Sequence, residues 1–207
     1  MDRGRLITVE GLDGAGKTTL VAGLAAALAD RGRPVQALRE PGGVELSERI
    51  RELVRDPAHP TDPRAEALLF AAARAQLVAE RLEPLLAAGE WVLLDRFVDS
   101  SLAYQGAGRG LGVEAVRAIN AFATGGLVPD RTILLRIEAG DGLARTSGRA
   151  GVADRLERED PSFFAATGAA YDALAAEEPE RFAVVDAGGS PDVVLREALA
   201  ALQPLLP

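Results

Sequence analysis

Eight consecutive residues, Gly11-Leu12-Asp13-Gly14-Ala15-Gly16-Lys17-Thr18, restrict the fold of this chain more than any other stretch. They follow a short apolar, β-branched run, Leu6-Ile7-Thr8-Val9, and lead into a helical stretch from Lys17 to about Arg31. The pattern G-x-x-x-x-G-K-[ST] between a strand and a helix curls the backbone so that successive N–H groups converge on one phosphate. The helix dipole adds to that attraction. Lys17 then reaches the β- and γ-phosphates, and the Thr18 hydroxyl binds Mg²⁺. The plainer alternative is a tight turn without a ligand, and the composition argues against it. Lys17 is the only lysine, and every other one of the 23 Lys and Arg residues is an arginine. A compact ammonium has been kept at the one position where arginine's planar fork cannot replace it. These eight residues therefore bind a nucleoside triphosphate.

The remainder of the chain alternates strand and helix signals. Gly32 stands where a helix ends, and Pro34 to Leu38 begins a second strand. Apolar residues from Leu68 to Leu86 recur near the helical period, which predicts one long helix over 62–88. Trp91-Val92-Leu93-Leu94 is an uninterrupted apolar strand, and 132–135 and 182–185 are two more. Helices are predicted at about 113–124, 161–177 and 191–202. Continuous apolar strands separated by helices describe an α/β three-layer sandwich, a five-stranded parallel sheet with helices on both faces. The length of 207 residues predicts a single domain, 1–207. In such sheets the ligand sits outside the carboxyl ends of the strands, so the positions to inspect follow Val9, Leu38, Leu94 and Ile137.

Several function classes fall away. There is no cysteine, which removes disulfide scaffolds, thiolate metal sites and cysteine nucleophiles. No apolar run is long enough to span a bilayer, and the start does not read as a signal peptide, so a cytoplasmic protein is expected. A net charge of −8 argues against a nucleic-acid or anionic-membrane partner. A GTPase base-reading motif N-K-x-D cannot exist, because the only lysine is Lys17.

Arginine density distinguishes further. The second strand leads to Arg39-Glu40-Pro41-Gly42-Gly43, with Arg51 beyond it, and the third to Asp95-Arg96-Phe97 and then Ser101 to Gly106. Each arginine alone reads as a solvated surface residue. Clustered at strand ends, they supply more positive charge than one triphosphate needs and point to a second phosphate, on an acceptor. Phe70 lies four residues before Arg74 on one helix face, so a flat ring stands beside a hydrogen-bond donor. That pair suits a nucleobase, and the plainer alternative for Phe70 is helix core. His59 sits in a proline-flanked loop and Trp91 opens a strand, and the glycines from Gly106 to Gly112 read as a flexible loop.

Over almost its full length the chain resembles the thymidylate kinase family, in its bacterial form. The resemblance rests on Glu10–Thr18, Arg39–Gly43, Phe70-Ala71-Ala72-Ala73-Arg74, Asp95–Phe97, Ser101–Gly106 and a D-R-x-E at Asp154–Glu157, in family order. It implies a nucleoside monophosphate kinase-like P-loop fold. The implied reaction is transfer of the γ-phosphoryl of ATP to dTMP, giving dTDP, by a Mg²⁺-dependent cytoplasmic homodimer. It further implies that Phe70 stacks on thymine, that Arg74 bonds its edge, and that Ser101 and Gln105 complete base recognition. Arg39, Arg51 and Arg96 would hold the dTMP phosphate, Asp13 would lie near the sugar 3′-hydroxyl, and Asp95 near metal and acceptor. Lys17, Asp95, Arg96 and a lid arginine would form the catalytic set. The lid is expected at about 142–157, with Arg149 supplying the arginine and Arg145 second, also toward ATP. Two departures stand out. Phe97 replaces the family's more usual Tyr or His, and the spacing from Arg149 to Asp154 is about one residue long.

A monophosphate acceptor is largely a dianion at neutral pH and needs no general base. Catalysis then reduces to positioning and charge neutralisation. The competing readings are a deoxynucleoside kinase, which needs a carboxylate base for a sugar hydroxyl, and a nucleotide-binding regulatory module without turnover.

Overall fold

Five strands, β1 (Leu6–Gly11), β2 (Val35–Arg39), β3 (Trp91–Asp95), β4 (Arg131–Arg136) and β5 (Phe182–Asp186), pair in the order β2-β3-β1-β4-β5. Every pairing is parallel. The computed structural model describes residues 3–138, 140–142, 145 and 155–206. β1 is central and buried throughout, and its side chains alternate between the two faces. Ile7 and Val9 pack with Leu20, Leu24 and Leu28 of α1 (Lys17–Asp30) and with Ala198 of α8 (Pro191–Ala201). Leu6 packs on the opposite layer with Leu77, Leu82 and Leu94. Thr8 and Glu10 continue that second row as polar residues inside the protein, and the Thr8 hydroxyl bonds that of Thr132 at 2.8 Å.

The second layer contains α2 (Glu45–Arg55), α3 (Pro63–Leu77), α4 (Glu83–Ala87), α5 (Val98–Ser101), α6 (Val113–Thr124) and α7 (Pro161–Glu177). Asp62 starts α3 by accepting from the Arg64 amide, with Pro63 in the first turn. The helix predicted over 62–88 is helical along its length, but a π-helical turn at Val78–Leu82 separates α3 from α4. Pro84 explains the break, since it has no N–H to return to the preceding turn.

One sequence reading is corrected. The stretch from Gly106 to Gly112 reads as a flexible loop in the sequence, but Leu102–Gly108 continues α5 as a π-helical segment, and the connection to α6 is confined to 109–112. Its glycines serve close packing. A Cβ on Gly108 would sit 2.6 Å from the Phe163 ring of α7, so only glycine lets the two segments meet. Among the described residues no helix is long and apolar enough to cross a membrane.

Candidate active site

The carboxyl ends of β1, β2 and β3 open on a cleft of about 250 Å³. One end of it is backbone. Gly11 ends β1 at φ +138, and a Cβ there would lie 2.5 Å from the Leu135 carbonyl oxygen. Only glycine lets the loop leave the sheet at that point. Leu12 and Ala15 turn into the core, while Asp13, Gly14, Gly16, Lys17 and Thr18 line the cleft. The Lys17 ammonium donates to the carbonyls of Gly11 (3.1 Å) and Leu12 (2.8 Å), so the loop itself fixes the position of its charge. Burial, then the charge of Arg96, pushes the Lys17 pKa down to about 8. The Thr18 hydroxyl donates to Asp95 at 3.0 Å.

Arg96 lines the cleft beside the loop. It is the one non-glycine residue with positive φ among the described residues, at +71, a conformation that costs on the order of 1 kcal/mol. Its amide donates to the Val9 carbonyl, and the next amide, of Phe97, donates to Glu10 at 2.7 Å. From that strained position the guanidinium donates to Asp13 (2.6 Å), Ser100 (3.0 Å) and the Gly11 carbonyl (3.2 Å), and it lies over the Tyr104 ring. Burial works to raise the Asp13 carboxyl, but Arg96 and Lys17 outweigh it and hold it well below the usual carboxylate range. Tyr104 donates to the other Asp13 oxygen at 3.0 Å. Glu10 is completely buried and accepts from Phe97, Ser100 and Tyr171. Burial, with Asp99 nearby, raises its pKa.

The other end is built from side chains. Phe70 is half-buried on the cleft wall and packs on the Ile50–Val54–Ala73 cluster. Arg74 is fully buried and donates to Glu40 (2.7 Å), to Ser101 (3.0 Å), to Asn120 and to the Phe97 carbonyl (3.0 Å). Burial pushes the Glu40 carboxyl up to about 7 in spite of Arg74, and its Oε1 is a buried acceptor without a partner among the described residues. Gln105 donates to Glu66 at 2.9 Å. One Arg39 nitrogen, Nη2, donates to both Glu48 oxygens, and Arg51 donates to the Pro41 carbonyl at 2.9 Å.

One space therefore brings together Asp13, Lys17, Thr18, Arg39, Arg51, Phe70, Arg74, Asp95, Arg96, Ser101 and Gln105. Arg145 is not on its wall. Its guanidinium donates to the Ala187 carbonyl at 3.1 Å. Arg149 and most of the expected lid lie outside the described residues.

The family model described as Thymidylate kinase matches residues 9–198. This chain belongs to the thymidylate kinase family. It is 49% identical over 202 residues to the thymidylate kinase of Deinococcus radiodurans, covering 98% of each chain. It is 46% identical to that of Rhizorhabdus wittichii, covering 99% of each, and 48% identical to that of Oenococcus oeni, covering 98% and 97%.

Against that family background, the residues without an assigned role in the sequence stand out. Glu10, Glu40 and Tyr104 lie inside motifs, yet the motifs alone assign them no role. A lone carboxylate closing an apolar strand was the available signal for Glu10. Glu66 had one too: Glu66, Phe70 and Arg74 recur at intervals of four and so share one face of α3. Asn120 gave none.

Proposed function

We propose that this chain carries out the reaction for which its family is named, moving the γ-phosphoryl of ATP to dTMP to give dTDP and ADP. The reading rests on one observation above all: the phosphate loop and the Phe70–Arg74–Ser101–Gln105 wall face a single cleft. Donor phosphates and acceptor base can then be held at opposite ends of one space.

In this reading Lys17 and the loop amides hold the ATP phosphates, and Arg96, Arg39 and Arg51 receive the dTMP phosphate. Arg96 is held to the loop through the Gly11 carbonyl and Asp13 and lines the same cleft as Arg39 and Arg51, so it is placed to offset charge on the group in transit. Asp13 orients Arg96 and faces the sugar. A carboxylate held by Arg96 and Tyr104, with its pKa depressed, is a poor proton acceptor, which favours a phosphate acceptor over a sugar hydroxyl. The Thr18 hydroxyl and Asp95 carboxylate suit Mg²⁺, an ion that takes one or two protein oxygens together with substrate phosphates. Bound there, Mg²⁺ neutralises phosphate charge. Arg149, and Arg145 after it, remain the arginines proposed to act from a lid at about 142–157 of a single 1–207 domain.

A homodimer and a cytoplasmic setting belong to the same reading. Side-by-side helices α2, α3 and α6 leave Leu46, Leu53, Leu68 and Phe122 exposed, Phe122 at 91%. A second copy would cover them. Phe122→Glu should then shift the chain from dimer to monomer in analytical ultracentrifugation, and an unchanged mass would refute this interface.

The reaction is tested by ADP release with ATP, Mg²⁺ and each nucleoside monophosphate in turn. dTMP is expected to lead. Turnover with thymidine and not dTMP would establish a nucleoside kinase instead, and no turnover at all a binding module.

A further inference from the structure

Glu66 lies on α3 with no exposed surface, outside every motif, and it gathers two hydrogen-bond donors and one further ion-paired arginine. Arg109 donates to both of its oxygens (3.2 and 3.0 Å), Arg155 pairs with it at 2.6 Å, and the Gln105 side-chain nitrogen donates to it at 2.9 Å. The last contact fixes something that an amide otherwise leaves open. A carboxylate accepts and cannot donate, so the Gln105 amide must turn its nitrogen to Glu66. Its carbonyl oxygen is then the polar atom left to the cleft that Gln105 lines, and no donor among the described residues reaches it.

The neighbouring groups have the opposite polarity. Arg74 Nη1 donates to the Ser101 oxygen, which leaves the Ser101 O–H free to donate. Arg74 spends four of its five N–H groups on Glu40, Ser101, Asn120 and the Phe97 carbonyl, keeping one. The wall thus offers donors around a single acceptor. A thymine edge, with two carbonyls flanking N3–H, complements it. Cytosine carries an acceptor at N3 and a donor at C4, so it meets like against like.

We propose that Glu66 is a specificity-determining positioning residue: by setting the polarity of the Gln105 amide, it selects a pyrimidine that carries N3–H. This rests on the dTMP kinase reading above, and the test separates the two. The ratio of kcat/KM for dTMP to that for dCMP is measured in the full chain with ATP and Mg²⁺. Glu66→Gln frees the Gln105 amide to present either end. The ratio should fall on the order of tenfold or more, through a higher KM for dTMP, with KM for ATP unchanged. Arg109→Met removes another Glu66 partner and should leave the ratio intact. If Glu66→Gln does not fold, Glu66→Asp keeps a carboxylate for the arginines but draws it back from Gln105, and the same fall is expected. An unchanged ratio in either folded Glu66 variant, or an equal fall in Arg109→Met, overturns the proposal. Wild-type protein that ignores dTMP would instead refute the reaction itself.

Discussion

The two ends of the cleft are made of different material. At the phosphate end, contacts run through backbone: loop carbonyls hold Lys17, glycines let the chain turn, and Arg96 reaches from a left-handed residue to the Gly11 carbonyl. At the base end, buried side chains hold one another: Arg74 with Glu40, Asn120 and Ser101, and Gln105 with Glu66. A backbone cradle needs a fixed local sequence and little packing. A side-chain wall needs partners from distant elements and is part of the core. Chemistry and stability should therefore separate between the two ends.

The largest expected effect tests that separation at the phosphate end. Lys17→Ala should abolish transfer, lowering kcat on the order of 10²–10³-fold or more, with thermal unfolding little changed. Lys17→Arg should also fail, since the loop carbonyls hold a compact ammonium. Near-normal turnover in either folded variant would break the comparison.

At the base end the balance reverses. The family resemblance makes Arg74 a reader of the pyrimidine edge, whose loss would fall mainly on dTMP affinity. With most of its donors committed inside the protein, Arg74→Ala strands the buried Glu40 and should cost about 3 kcal/mol of stability, read by denaturant unfolding. A variant as stable as wild type that lost only dTMP affinity would return Arg74 to a purely reading role.

A smaller effect sharpens the contrast through pH. The Lys17 pKa of about 8 lies below the ordinary 10.5, so the protonated form is lost as pH rises past 8 in the free protein. kcat/KM for ATP, which reports the free enzyme, should fall about tenfold per pH unit above that point. kcat should stay level, because bound phosphates return the proton to favour. In the same window, 8 to 10.5, the unfolded chain holds the extra proton, so this lysine's contribution to stability grows with pH. A level kcat/KM up to pH 10 would show that the ammonium is not desolvated as its burial implies.

The same division explains what could be read from the sequence. Parallel strands, the loop and the strand-end arginines were legible because each is a local pattern: apolar runs, glycines at set intervals, charge just past a strand. The π-helical segments were not, since they depend on Pro84 and on the meeting of Gly108 with Phe163 across the fold. Arg74 was found but its burden was not, because Glu40 and Asn120 come from a loop and a helix far along the chain. Glu66 carries a charge on a helix, which in isolation reads as solvated surface. Only the tertiary structure places it among Gln105, Arg109 and Arg155.

The strand order also bears on synthesis. β1 is translated before either strand it pairs with, yet it is the middle of the sheet, joining Leu6 to Val92 and Ile7 to Arg131. Neither neighbour exists when the phosphate loop leaves the ribosome, and parallel pairings of this reach form slowly. The nucleotide-binding motif is thus made well before the strands that give it its shape. A nascent chain halted before β4 carries every letter of that motif and should not retain ATP, so nucleotide capture by the growing polypeptide would time the closing of the sheet.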